Sequence, residues 1–184
     1  IYVAIAILAL AVALGAFYRV SIIAFFVLFT YTELLDKTYY LNHYYFVSLF
    51  CFLLCFLPLH RYASLDSWRN PKLASGTVAA WSLWAVRLQI GLVYFYAGVA
   101  KLKADWLFHA MPLRIWLAAN SDFPIIGGLF DTSWFPYLMS WGGALYDLCI
   151  PFLLLNRRTR PWAFLAVIGF HVMTGMLFAI GLFP

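Results

Sequence analysis

The residues best placed to do chemistry begin with one lysine. The stretch Tyr94-Phe-Tyr-Ala-Gly-Val-Ala-Lys-Leu-Lys-Ala-Asp-Trp106 reads as the end of a membrane-spanning helix that carries Lys101 to the edge of the hydrocarbon. An ammonium there must be paired, snorkelled or deprotonated. If it loses its proton in a dry site, it becomes a general base or a nucleophile. A second polar group falls in the turn Thr32-Glu-Leu-Leu-Asp-Lys-Thr38 to Asn42-His43, where Asp36, Lys37, Asn42 and His43 come close together at the same expected membrane level as Lys101. A histidine at a helix start is usually a cap, and a lysine beside an aspartate is usually a solvated turn. Histidine, asparagine, aspartate and lysine together at one depth point to a site. Three more polar residues, Arg87, Asp147 and His171, lie within long apolar segments at similar counted depth. A buried lone charge costs several kcal/mol, roughly, so an Arg87–Asp147 ion pair with His171 nearby is expected. Such a pair is equally suited to locking a bundle.

The elements that must position these groups follow from composition. Of 184 residues, 66% are apolar, 21% aromatic and only 10% charged, and the mean hydropathy is +0.89. Long continuous apolar runs without strict alternation specify an all-α, polytopic transmembrane bundle rather than a membrane barrel. About six spans are expected, near residues 1–18, 20–36, 42–60, 77–100, 134–155 and 161–181. Arg19, Arg61, Arg69, Lys72, Arg157, Arg158 and Arg160 then fall on one side, which the positive-inside rule makes cytoplasmic. Lys101 faces the other side, the periplasm or a lumen. The net charge of +5 therefore reports topology and implies no nucleic acid. The segment from about 102 to 133 is expected to be an interfacial lid with one short helix near 107–119. Cys51, Cys55 and Cys149 all lie in apolar runs, so neither a disulfide framework nor a metal site is expected. The chain starts without methionine and ends within an apolar stretch, and is expected to be one transmembrane domain over 1–184, part of a longer chain.

On the fourth span, Arg87, Gly91, Tyr94, Gly98 and Lys101 share one helix face. Small residues on such a stripe let a neighbour approach the backbone closely. The stripe is either a tight helix–helix seam or the lining of a pocket.

Two long motifs, Phe29-Thr-Tyr-Thr-Glu-Leu-Leu-Asp-Lys-Thr-Tyr-Tyr-Leu-Asn-His43 and Val93-Tyr-Phe-Tyr-Ala-Gly-Val-Ala-Lys-Leu-Lys-Ala-Asp-Trp106, resemble the membrane domain of vitamin K-dependent gamma-carboxylases and their bacterial relatives, the HTTM proteins. Ala85-Val-Arg-Leu-Gln89, Leu145-Tyr-Asp-Leu148 and the segment from Phe170 to Pro184 also fit. The resemblance implies that Lys101 is the catalytic base and that His43 helps hold a quinone and the reacting carbanion. It implies a reduced naphthoquinone of the vitamin K or menaquinol type, with O2 and CO2 as co-substrates. Asp36, Tyr40, Asn42, Tyr94 and His171 are the expected quinone-binding set, with Tyr39, Tyr44 and Tyr96 adding aromatic surface. A neutral lysine would take a proton from the hydroquinone in a site dry enough to protect the strong base that follows. The setting implied is a bacterial inner membrane. Family carboxylases continue into further spans and a large peptide-engaging region. The polar residues often found after the histidine of the sixth span are here Thr174-Gly175-Met176. A non-catalytic structural or assembly subunit of a larger membrane complex, binding a quinone or lipid, is therefore the alternative. A small-solute transporter is a weaker third reading, since no inverted repeat is visible.

Overall fold

The computed structural model describes residues 1–178. Among these there are ten α-helices and no strand. The six expected apolar segments correspond to α1 (Tyr2–Leu14), α2 (Tyr18–Leu35), α3 (Asn42–Phe56), α5 (Ala80–Ala100), α9 (Phe135–Leu155) and α10 (Arg160–Leu177). Four short helices complete the set: α4 (Leu65–Arg69), α6 (Ala104–Leu107), α7 (Leu113–Ala118) and α8 (Gly127–Phe130). By length and composition α2, α5, α9 and α10 are long and apolar enough to cross a membrane, while α1 and α3 are shorter apolar helices. At about 1.5 Å per residue, α5 spans roughly 31 Å, close to the thickness of a bilayer's hydrocarbon core. The end of the expected sixth span and the Ile180-Gly181 motif lie outside the described residues.

The helix ends have local causes. Gly15 stops α1 by adopting φ +62°, and the amides of Gly15 and Ala16 return to the carbonyls of Val12 and Ala11. Any side chain at Gly15 would be strained and would run into Ser64. Pro58 ends α3 early by forcing Leu57 into extended backbone, so the third helix stops at Phe56 instead of near residue 60. Pro161 sits in the first turn of α10, where its missing N–H costs nothing.

The chain forms two compact units, Ile1–Gln89 and Ile90–Pro184, and α5 contributes to both. In the first unit, Tyr18, Ile22 and Cys51 form a small core joined by Val12, Phe25, Phe26, Val47 and Leu54. The start of α2 is tied to the end of α3 by two polar contacts. The Tyr18 hydroxyl donates to Leu54 O at 2.9 Å, and Arg19 donates to Cys55 O at 2.6 Å. Phe17, the residue preceding α2, has φ +46° and offers no side-chain cap. The cap comes instead from the distant Asp66, whose carboxylate accepts the amides of Phe17 and Tyr18, each at 2.8 Å. Asp66 belongs to α4, which closes its own N-terminus through reciprocal Ser64–Ser67 hydrogen bonds. The Arg69 guanidinium lies 4.9 Å above the Phe17 ring. The α1–α2 corner and the segment after α3 therefore meet at one end of this unit, the arrangement that placing Arg19, Arg61 and Arg69 on a single side requires.

In the second unit, the segment between α5 and α9 is more structured than a lid with a single helix. It contains α6, α7 and α8. Leu113, Leu117 and Phe130 are buried there with Phe135 and Leu177, and Trp106, Phe123, Met139 and Met173 pack around them. The segment is latched to the first half of α9. The Trp106 indole donates to Ser140 O at 2.8 Å, the Ser140 hydroxyl donates back to Trp106 O, and the Trp141 indole donates to Leu107 O at 2.8 Å. On α10, Trp162, Phe164, Leu165, Ile168, Val172 and Met176 are all exposed, an apolar face suited to lipid.

Candidate functional site

The site grows from the way α5 meets α9. The ideal Cβ position of Gly91 lies 3.7 Å from Pro151, an ordinary contact. The Cβ position of Gly98 lies 2.7 Å from Leu148 Cγ and 3.0 Å from Leu148 N, so only glycine permits that approach. The small residues expected to line either a seam or a pocket form a seam here. The contacts run antiparallel, Gly91 against Pro151 and Gly98 against Leu148, and Lys101, one turn past Gly98, meets Asp147, the residue before Leu148.

Lys101 Nζ donates to Asp147 Oδ2 in a short ion pair. It also reaches Ala97 O at 3.5 Å and lies 5.3 Å from the Trp106 ring centroid. The Asp147 side chain is only 5% exposed and that of Lys101 23% exposed. The pair is therefore largely withdrawn from solvent, where charges interact strongly and are costly to separate. Pro151, inside α9, has no N–H to offer the Asp147 carbonyl, so the helix lacks a rung at the residue holding the lysine.

Beside the pair stands an aromatic group from three helices. Tyr94 Oη lies 3.3 Å from His171 Nε2. Tyr146 sets its ring edge against Tyr94, with centroids 6.0 Å apart, and stacks on Phe170 at 4.1 Å. The buried Tyr146 hydroxyl interacts electrostatically with Tyr94 and Asp147 without a well-formed hydrogen bond. His171 Nδ1 is buried and has no hydrogen-bond partner. Tyr96, included in the expected aromatic surface, is 65% exposed. Two polar atoms without hydrogen-bond partners, Tyr146 Oη and His171 Nδ1, thus stand beside the ion pair and the aromatic rings.

The Arg87–Asp147 pair is corrected. Asp147 takes Lys101 as its partner, and the half-buried Arg87 guanidinium lies 5.3 Å from the Trp84 ring. The depth count went wrong because it aligned helix ends. The end of α5 meets the middle of α9, whose first half runs on beside the α6–α8 segment.

The remaining expected residues belong to the first unit. Asp36 accepts the Thr38 amide at 2.9 Å and the Thr38 hydroxyl at 2.7 Å, and these bonds hold its carboxyl below the usual range. Asn42 and His43 open α3. His43 sets its ring against Tyr44 at 5.0 Å, and Tyr40 lies 6.4 Å from Tyr45. No group of three or more metal-ligating side chains occurs among the described residues.

Sequence reasoning gave Asp147 a purely structural role and missed it as the lysine's partner. The available signal was the Gly91–Gly98 stripe, which fixes the register once it is read against Leu148 and Pro151. Comparison with known families agrees with the motifs. The HTTM domain model matches residues 1–184, and the chain belongs to that family. No solved structure matches it.

Proposed function

We infer that this integral membrane protein handles protons for a reduced naphthoquinone, in the manner of the vitamin K-dependent carboxylase-like proteins with which HTTM domains are associated. One observation carries the reading: a lysine paired with a single carboxylate in an otherwise apolar, aromatic seam. As the base that the resemblance implies, Lys101 would take a proton from a hydroquinone hydroxyl, with Asp147 beside it to balance the charge it gains. Tyr94, Tyr146 and His171 would hold the ring and its oxygens. The reduced quinone, with O2 as oxidant, supplies the strong base that carboxylation of a glutamyl side chain requires. His43, with Asp36, Tyr40 and Asn42 from the first unit, is assigned by resemblance to hold the quinone and the reacting carbanion. The bacterial inner membrane, with the site facing the periplasm, is the proposed setting, in keeping with the distribution of Arg and Lys.

Purified protein given reduced vitamin K and O2 is expected to form the quinone epoxide, and Lys101→Ala is expected to abolish it. A well-folded sample producing none would overturn the enzymatic reading. A second reading is favoured by the tight Gly98–Leu148 contact: the seam is closed and the chain serves as a structural subunit of a larger membrane complex. Gentle solubilisation would then recover it with a stoichiometric partner, and Lys101→Ala would leave that assembly intact.

A further inference from the structure

We propose that the turn after α3 in the first unit is a binding site for an anionic phospholipid headgroup. Between residues 58 and 79 the chain has three formal cations, Arg61, Arg69 and Lys72, and one acid, Asp66. The charge of Asp66 is committed to the amides of Phe17 and Tyr18. The three cations are all exposed, so the turn presents a net positive surface. The backbone that carries them is ordered. Ser75 N–H donates to Arg61 O at 2.9 Å, and Asn70 Oδ1 accepts the Lys72 amide at 3.2 Å.

Apolar groups sit among these charges. Phe17 is 68% exposed, Tyr62 74% and Trp68 79%, and Arg69 covers the Phe17 ring. Next to them lies a shallow, open depression of about 520 Å³, lined by Leu14, Ala63, Leu65 and Trp68 with Ser64 and Ser67. A soluble anion would satisfy the cations but would leave this apolar slot and the three large rings in water. A phospholipid satisfies both, with its phosphate on the basic turn, its glycerol region in the slot and the rings at headgroup level. The position suits this occupant, because the turn joins the ends of three apolar helices, α1, α2 and α3.

The test uses the full chain in mixed micelles holding equal amounts of phosphatidylglycerol and phosphatidylcholine, with bound lipid counted by native mass spectrometry. Phosphatidylglycerol should be retained preferentially. Arg61→Gln/Arg69→Gln/Lys72→Gln should cut that preference roughly tenfold while phosphatidylcholine retention stays level. Trp68→Ala, which keeps every charge, should lower retention of both lipids. Arg157→Gln/Arg158→Gln in the second unit should leave the preference intact. If the triple variant fails to fold, Arg61→Gln/Lys72→Gln, with both side chains exposed, reads the same preference at a smaller loss. Unchanged preference in the folded basic-turn variant would overturn the proposal. So would an equal loss in the Arg157/Arg158 control, because that result means diffuse positive charge rather than a site.

Discussion

Each unit of this protein joins separate helices through one aspartate, and the two are satisfied in opposite ways. Asp66 in the first unit accepts two backbone amides. Those donors keep their protons and stay fixed in place, so the carboxylate works as a staple between the α1–α2 corner and α4. Asp147 in the second unit accepts from one lysine ammonium, a charged side-chain donor on a flexible stem. The same functional group is held by fixed backbone amides in one unit and by a movable charged side chain in the other. Counting charges in the sequence does not separate the two cases, because the distinction lies in what each carboxylate faces.

The sharpest way to break this comparison is to remove the buried carboxylate's charge. Asp147→Asn leaves Lys101 facing an uncharged amide and is expected to lower stability by about 2–3 kcal/mol, a range discounted because Lys101 keeps 23% of its side chain exposed. Thermal unfolding in detergent measures this. The double variant Lys101→Met/Asp147→Leu should regain stability to within about 1 kcal/mol of the parent, since apolar replacements of buried pairs are often neutral, yet form no epoxide. A double variant that stays as unstable as the single one would show that the pair fastens the bundle as Asp66 does.

On the staple side, Asp66→Ala should cost about 1–2 kcal/mol, the range for losing a helix cap. Asp66→Asn should cost less, since one oxygen still accepts. Neither change should alter epoxide formation per folded molecule, and a selective loss of activity would erase the contrast between the two aspartates.

The smallest effect concerns His60, near the same staple. Its ring stacks on Tyr18 at 5.7 Å, and burial, reinforced by Arg19 and Arg61 and opposed by Asp66, pushes its pKa below the usual histidine value. The unfolded chain takes up the proton first as pH falls. The contribution of neutral His60 is therefore complete above about 6.5 and is lost as pH drops through the lower folded value. Melting temperature should decline gently below neutrality, and His60→Gln should flatten that part of the curve.

Much of the fold was legible because lipid imposes simple demands. Apolar runs marked the six helices from α1 to α10, although the first and third were expected to run past Gly15 and Pro58, which end them. The Gly91-x-x-Tyr94-x-x-x-Gly98 stripe announced close packing. Three things stayed hidden. The cap that Asp66 supplies to α2 links positions nearly fifty residues apart, and no local pattern signals it. The α6–α8 segment buries Leu113, Leu117 and Phe130, whereas its mixed sequence showed only one short helix near 107–119 in an interfacial lid. Asp147 was assigned to Arg87 because helix ends were assumed level, although α9 runs on past the end of α5.

One feature of α9 bears on how the paired charges could ever part. Pro151 deprives Asp147 of its backbone hydrogen bond one turn away, and a helix missing a rung flexes more readily at that place than elsewhere along its length. That place lies beyond the Ser140 latch, which holds the first half of the helix to the α6–α8 segment. The missing rung and the salt link described in the second unit thus share a single turn of the helix.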